Sequence, residues 1–316
     1  MANLSGDCGK GLIVLDWGTT NVRLALLDNH GVVVEERRGE SGVGSFTQAE
    51  FEAHFDRLTD GWPKVPAIAA GMVGSRQGWQ EAAYLPCPAS TGDLADGLRR
   101  FTHNGREILI VPGLALNNGN RFDVMRGEES QIAGFLNQNP NYAGVLLMPG
   151  THSKWVQIEG ARIVNFQTYM TGEVFEAISK HTILRHSLSD DSTAGNDEGK
   201  TVFKNKVQEL ASNPTSSEGN LFGLRARHLL EGCKTEHLRQ ELSAILIMAE
   251  LKAGRADGFE LNDDISLIGS SDLTGLYNIA FAALGKRATC LRGTGLVWPA
   301  LYAIACQSNL ITGTAA

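Results

Sequence analysis

Residues 12–27 read LIVLDWGTTNVRLALL, preceded by Gly11, and their reading decides the fold. Leu12-Ile13-Val14-Leu15 is a short apolar run, and Val22 to Leu27 is a second one interrupted by Arg23. Two β-rich runs joined by the Gly-bearing turn Gly18-Thr19-Thr20-Asn21 predict a β-hairpin. The turn has unusual contents. Asp16 ends the first strand as an acid that apolar packing does not require. Gly18 allows a large group to approach the backbone. Thr19, Thr20 and Asn21 add hydroxyls, an amide and backbone N–H groups, a set that can cradle phosphate oxygens. Asp16 can hold Mg²⁺, directly or through water. The same residues would also make an ordinary polar turn with no ligand.

Composition sets the outer limits. The chain has 316 residues, 42% hydrophobic and 20% charged, the usage of a soluble globular protein of one large or two ordinary domains. A net charge of −7 disfavours a nucleic-acid surface, which needs clustered excess Lys and Arg. Met1 to Lys10 has no apolar core and predicts no signal peptide, and no window approaches the roughly 20 apolar residues of a membrane span. Cys8, Cys87, Cys233, Cys290 and Cys306 are scattered and odd in number, which predicts free thiols and a cytoplasmic location. His181 and His186 are five apart and share no helical face well, so no protein-bound transition metal is expected.

After the hairpin, Val32-Val33-Val34 begins a third strand and completes a meander. Glu40 to Ser45, ESGVGS, is a glycine-rich loop. Thr47 to Leu58 reads as a helix, with Thr47 as cap, Glu50 three residues on, and Phe51, Phe55 and Leu58 on one face. Pro66 to Ala70 is a short buried strand that runs into a long loop, Gly71 to Trp79, with an exposed-looking Arg76 and Trp79. Gly92 to Phe101 reads as helix, Glu107 to Val111 as strand, and Pro112 to Asn120 as a turn-rich connector and domain boundary. Glu128 to Asn137 reads as a helix.

The pattern then repeats. Val145 to Met148 is a strand, Pro149 to Ser153 a tight polar turn, Lys154 to Ile158 a strand, and Ala161 to Phe166 a third. Two meanders, each opening one half of the chain, predict two similarly built domains of mixed α/β sheet. Val174 to His181 reads as helix and Ser187 to Thr201 as loop. Gly199-Lys200-Thr201 fails as a phosphate loop of the P-loop type, because Gly195 is one residue too close and no strand precedes it. Phe203 to Gly254 reads as mostly helical, broken near Asn213-Pro214 and clearest over Leu238 to Leu251. It receives no role beyond packing. Ile265 to Ile268 is a strand, Leu276 to Leu284 a helix, Ala288 to Leu291 a strand and Thr294 to Cys306 a last helix.

Asp-x-Gly-Thr-Thr-Asn between two strands resembles the first phosphate loop of the actin-like ATPase and sugar-kinase superfamily. The resemblance implies two ribonuclease H-like domains, residues 1–115 and 116–316, with ATP in an interdomain cleft and the final helix free to pack back on the first domain. By the same resemblance Gly150, Thr151, His152, Ser153 and Lys154 form the second phosphate loop, and Gly269, Ser270 and Ser271 form the adenosine loop. The latter is also an ordinary capped turn at a helix start, and Lys154 an ordinary strand lysine. Arg126 to Gly134 brings two carboxylates to a helix start, where the helix dipole alone favours them. Polyphosphatases of the superfamily carry a catalytic Glu in a similar Gly-x-Glu helix start. An ungapped match puts it on Glu129, with Glu128 and Asp123 in contention as the group that meets the attacking hydroxyl.

Five further segments narrow the resemblance: ESGVG (Glu40 to Gly44), AGMVGSRQGWQEAAYLPCPA (Ala70 to Ala89), VMRGEESQI (Val124 to Ile132), PGTHSKW (Pro149 to Trp155) and TYMTGE (Thr168 to Glu173). With the opening motif they resemble the 2-dehydro-3-deoxygalactonokinase family over nearly the whole chain. That resemblance implies ATP- and Mg²⁺-dependent phosphorylation of the 6-hydroxyl of a six-carbon 2-keto-3-deoxy acid in galactonate breakdown. Ser41, Gly42, Arg76, Gln77 and Trp79 become the expected sugar-acid contacts. Arg76 would give its planar fork to the carboxylate and Trp79 would cover the carbon chain. The expected partner is a small sugar acid, with no nucleic acid or membrane, and a homo-oligomer is left open. The rivals are a kinase for another sugar or hydroxy acid, and an ATP-dependent sensor of the same fold.

Overall fold

The computed structural model describes residues 11–47, 50–188, 197–212, 221–261 and 264–311. Strands β1 (Leu12–Trp17) and β2 (Val22–Leu27) pair antiparallel, with Asp16 opposite Arg23 and Trp17 opposite Val22. This is the expected hairpin closed by Gly18–Asn21, and β3 (Val33–Gly39) continues the meander. Helix α1 (Glu50–Leu58) is approached through Thr47, whose N–H and Oγ1 both donate to Glu50, at 2.8 and 2.7 Å. Strand β4 (Ala67–Ala70) then lies parallel to β1 on the side away from β2.

Next come β5 (Tyr84–Pro86), α2 (Thr91–Asp96), β6 (Arg99–His103), β7 (Arg106–Ile110), β8 (Gly113–Asn117), β9 (Phe122–Met125) and α3 (Glu128–Gln138). The main sheet has the order β3-β2-β1-β4-β7-β6, and β5-β8-β9 form a separate small sheet. Two expectations need correction here. The helix expected to Phe101 stops at Asp96, and Arg99–His103 is instead an edge strand. Its partner β7 follows through Asn104 (φ 50°) and Gly105 (φ 74°), a two-residue hairpin turn of the type that Asn-Gly favours. The stretch expected as a connector, Pro112 to Asn120, contains β8, which pairs with both β5 and β9.

The later chain supplies β10 (Gly144–Met148), β11 (Ser153–Glu159), β12 (Arg162–Tyr169), α4 (Thr171–His181), α5 (Asp197–Ser212), α6 (Leu221–Glu231), α7 (Thr235–Ala256), β13 (Asp264–Ile268), α8 (Ser271–Ala283), β14 (Arg287–Leu291) and α9 (Thr294–Gln307). Their sheet has the order β12-β11-β10-β13-β14. Position for position this matches β3-β2-β1-β4-β7, including the parallel pairs at β10/β13 and β13/β14. The repeat is one of topology, and each sheet is the expected mixed α/β sheet opened by a three-stranded meander. The loop expected over Ser187 to Thr201 is helical from Asp197 onward, so Gly199-Lys200-Thr201 lies within α5. The break expected at Asn213-Pro214 lies outside the described residues.

The chain forms two compact units. The first holds the residues up to Tyr142, Glu159–Asn165 and everything from Thr294 onward, so α9 belongs to it. The second holds Ala143–Ile158 and Phe166–Gly293. In the first, Leu12 to Leu15 are all buried because both faces of β1 are covered. Ile13, Leu15 and Trp17 join Phe51 and Phe55 of α1 in one cluster, while α9 packs on β1 and β4. Full burial of each Phe contributes about 1.5–3 kcal/mol, enough to fix α1 on the sheet. In the second unit α5, α7 and α8 pack together around Phe203, Leu242, Ile245, Met248 and Phe281. Cys87, Cys233, Cys290 and Cys306 are free thiols, and Cys8 lies outside the described residues. Burial pushes the Cys87 thiol up to about 11. Among the described residues no helix is long and apolar enough to cross a membrane.

Candidate active site

In the first unit three backbone segments meet beyond the C-terminal ends of β1 and β4. Within the first turn the Gly18 N–H donates to the Asn21 carbonyl at 2.9 Å. The glycine-rich loop then lies directly on this turn. The Val43 N–H donates to Gly18 O at 3.0 Å and the Gly44 N–H to Thr19 O at 3.1 Å. A Cβ on Gly42 would fall 2.3 Å from the Thr19 carbonyl and the Thr20 nitrogen, so only glycine admits this contact. Gly71, just after β4, has φ +96° and also approaches the Trp17 carbonyl closely, 2.8 Å from an added Cβ. Thr19, Thr20 and Asn21 stay exposed above this packed backbone.

Asp16 points from the end of β1 and pairs with the Arg23 guanidinium across the hairpin; both side chains are partly exposed. The Arg23 Cζ lies 5.5 Å from the ring centre of Trp298 on α9. Asp16 offers hard carboxylate oxygen, the donor type Mg²⁺ selects. Among the described residues no group of three or more His, Cys, Asp or Glu is placed to hold a metal. A divalent ion at Asp16 would therefore fill its shell with water and phosphate oxygens, which is usual for Mg²⁺.

The acids expected around the attacking hydroxyl are separated by burial. Asp123 is partly exposed on β9, and its carboxylate accepts from the Val124 N–H at 2.7 Å. Glu128 is partly exposed at the first position of α3, accepting from the Arg126 N–H at 3.1 Å. Glu129, the position expected to meet substrate, is 0% exposed. It accepts from the Gly127 N–H at 2.6 Å and from Ser130 Oγ at 3.2 Å. Burial, and then the charge of Glu128, push its carboxyl up to about 8. The sequence shows two adjacent acids but not which of them the helix turns inward.

The residues expected to hold the sugar acid divide too. Arg76 and Gln77 are exposed, and Arg76 Nε lies 3.7 Å from Glu81 across the loop. Ser41 is partly exposed and Gly42 buried. Trp79 is a correction. It is 2% exposed and sits among Trp17, Phe55, Phe101 and His103, with Phe101 nearest at 5.0 Å between ring centres. An indole committed to the aromatic core cannot cover a substrate. Arg126, to which the sequence pattern gave no role, is buried beside the same loop. Its Nη2 donates to Ala82 O at 2.8 Å and its guanidinium lies 4.3 Å from the Tyr84 ring centre. Arg126 thereby ties the start of α3 to the far end of the loop that carries Arg76.

The second unit builds its own polar turn. The N–H of Gly150 donates to Ser153 Oγ at 3.4 Å, and the Glu173 N–H donates to Thr151 O at 3.0 Å, so the first turn of α4 docks on the loop. His152 and Glu173 pair at 2.5 Å on the exposed side, beside exposed Thr151. Ser153 and Lys154 are buried, Lys154 to 5% exposure, so the expected phosphate lysine does not stand open on the strand. Gly269 follows β13, and a Cβ there would lie 3.3 Å from Pro149 O, which puts the loop expected to meet adenosine beside the loop expected to meet phosphate. Ser270 and Ser271 are exposed at the start of α8. Next to these loops is a largely apolar cavity of about 200 Å³, bounded by Gly150, Gly172, Phe175, Leu273 and Tyr277. Arg239, also on its wall, stacks 4.7 Å above the Phe175 ring.

A family profile described as 2-keto-3-deoxy-galactonokinase matches residues 16–304. The chain is 36% identical over 274 residues to a Rhizobium meliloti protein named probable 2-dehydro-3-deoxygalactonokinase, covering 86% of this chain and 89% of that one. It is 35% identical over 283 residues to the 2-dehydro-3-deoxygalactonokinase of Escherichia coli, covering 89% and 92%. A crystal structure from Sinorhizobium meliloti, bearing the same kinase name as a provisional assignment, superposes with a TM-score of 0.86 at 35% identity, over 93% of this chain and 98% of that one. The segments that build both polar turns, the Gly42 contact and the acid pair of α3 all lie inside the matched range, and the chain belongs to the 2-keto-3-deoxy-galactonokinase family.

Proposed function

We propose that this protein is a cytoplasmic kinase that transfers the terminal phosphoryl group of ATP to the 6-hydroxyl of 2-dehydro-3-deoxy-D-galactonate, a step of galactonate breakdown. The observation that carries the reading is the packing of Gly42–Gly44 on the Gly18–Asn21 turn, at the strand end that bears Asp16. It presents exposed hydroxyls and an acid on one rigid backbone platform, in a chain of this family. The hydroxyl oxygen forms a bond to the terminal phosphorus, the bond from that phosphorus to the bridging oxygen breaks, and ADP leaves. Glu128, the partly exposed acid of the pair, orients the hydroxyl and takes its proton. Such a group mainly positions the nucleophile, because the transition state is loose. Asp16 holds Mg²⁺, which when bound neutralises charge on the phosphate oxygens. In the second unit the Gly150–Ser153 turn meets phosphate oxygens, and the apolar cavity beside it suits the flat face of adenine. Ser41 and Gly42 with Arg76 and Gln77 hold the sugar acid.

A coupled ADP-release assay over a panel of 2-keto-3-deoxy acids and other sugars tests the reading. Turnover with the galactonate derivative well above the rest is expected, and ATP binding without turnover on any acid would leave the sensor as the better description. Arg76 is tested in the same assay. Arg76→Ala should raise the KM for the acid about ten-fold and leave the KM for ATP unchanged. The pair with substrate starts from an exposed side chain, so its loss is worth about 1–2 kcal/mol rather than the larger value of a buried pair. Arg76→Lys keeps the charge without the fork and should fall between. A mutant that prefers the acid over its neutral amide as strongly as wild type would move the carboxylate contact elsewhere.

A further inference from the structure

Helix α7 carries a buried acid that packing does not require. Glu250 is 3% exposed and faces inward beside Ile247, Leu251 and Gly254. It gathers donors from three other elements of the second unit. Trp155 Nε1 on β11 donates to its Oε1 at 2.8 Å. The hydroxyls of Tyr277 on α8, at 2.5 Å, and of Thr171, the first residue of α4, both donate to its Oε2. The Tyr277 oxygen in turn lies 3.2 Å from Ser153 Oγ, and Ser153 Oγ accepts from the Gly150 N–H. An unbroken series of hydrogen bonds thus runs from the carboxyl on α7 to the backbone of the polar turn.

The site is built to keep that acid in place. Gly254 is one turn along from Glu250 on the same face of α7. A Cβ on Gly254 would fall 2.5 Å from the Trp155 ring. The missing side chain lets the indole lie flat against the helix, with its N–H aimed at Glu250. Burial raises the Glu250 carboxyl, and the hydroxyl and indole donors oppose that rise. A buried carboxyl that costs desolvation is retained where its directional bonds fix something. What they fix here is the turn Gly150–Ser153, the start of α4 and Tyr277, and Gly150, Thr171 and Tyr277 are also on the wall of the apolar cavity.

We propose that Glu250 is a positioning residue for nucleotide binding, holding the second phosphate turn and the cavity wall in one arrangement through Tyr277, Ser153, Thr171 and Trp155. This rests on the kinase reading, in which that turn and cavity take ATP. The residue touches neither substrate nor the reacting atoms.

The test measures KM for ATP and for the sugar acid, and ADP affinity by calorimetry, in wild type, Glu250→Gln, Glu250→Ala and Tyr277→Phe. Removing a buried hydrogen-bond partner is worth about a ten-fold change in an equilibrium. KM for ATP and the ADP dissociation constant should rise about ten-fold in Glu250→Ala and less in Glu250→Gln, which keeps one acceptor oxygen. KM for the sugar acid should stay within about two-fold of wild type. A purely structural role would lower thermal stability and the active fraction while leaving both nucleotide constants alone, and that result overturns the proposal. If Glu250→Ala does not fold, Tyr277→Phe decides, since it removes one oxygen and breaks the link to Ser153. An inactive wild type would count against the kinase reading, whereas unchanged ADP affinity in the variants counts against Glu250 alone.

Discussion

Asp16→Asn is expected to keep the fold and lose about 10²-fold or more in kcat, the scale for removing one electrostatic group from a transition-state site. The substitution changes almost nothing in shape. The amide oxygen still accepts from Arg23, and the strand register that sets Asp16 opposite Arg23 is held by the β1–β2 backbone. Both partners are partly exposed, so the ion pair itself is worth at most about 1 kcal/mol. The thermal midpoint should therefore move little while turnover collapses. Raising Mg²⁺ should recover only part of the loss, because a neutral amide is a poorer partner for a hard cation. Near-normal turnover at saturating Mg²⁺ would remove Asp16 from the mechanism.

Glu129→Gln is expected to change stability in a pH-dependent way. Burial lifts the Glu129 carboxyl from 4.5 to about 8, so between those values the folded chain holds a proton that the unfolded chain has released. Stability from this group is fully present below about pH 4.5 and is lost as pH rises through about 8. The loss is on the order of 4–5 kcal/mol at most, from 1.36 kcal/mol per pKa unit. Glutamine stays neutral and can still accept from the Gly127 N–H through its amide oxygen. Urea unfolding at pH 5 and pH 9 should show wild type losing several kcal/mol more than Glu129→Gln across that interval. Equal pH dependence in the two proteins would mean that Glu129 ionises freely and is not sealed in the core. Glu128→Gln makes the contrast. It should lower kcat with ATP binding intact and reduce the pH dependence of stability only in part, because it removes the Glu128 charge, the smaller of the two causes that raise the Glu129 carboxyl, and leaves the burial. If Glu128→Gln turns over normally, Asp123 is the next acid to test.

Local pattern determined much of this protein. The two hairpins, their polar turns and α1 with its Thr47–Glu50 cap follow from alternation, turn residues and capping, which act over a few residues. The sequence was less informative where one local signal masked another. Helical character over Gly92 to Phe101 hid the Asn104-Gly105 turn, which makes Arg99–His103 a strand once β7 is there to pair with it. Strand β8 was invisible because its partners β5 and β9 lie on either side of it and its own residues read as turn formers.

At the site, motif and spacing named Asp16, the Gly18–Asn21 turn, Gly42 and the acid pair, but not which way each side chain faces. Trp79 looked exposed at the end of the Gly71–Trp79 loop and is core, because aromatic rings from α1 and β6 close over it. Of two adjacent glutamates, the packing of α3 sealed in Glu129 and left Glu128 partly open. Glu250 carried a signal that pattern alone could have raised, an acid on the buried stripe of α7. Its meaning still depended on Trp155, Thr171 and Tyr277, which lie 95, 79 and 27 residues away in the chain. Periodicity fixes which residues share an element, because it depends only on backbone geometry. Which of them become buried, paired or open depends on contacts between distant segments, and these exist only once the sheets and helices have packed.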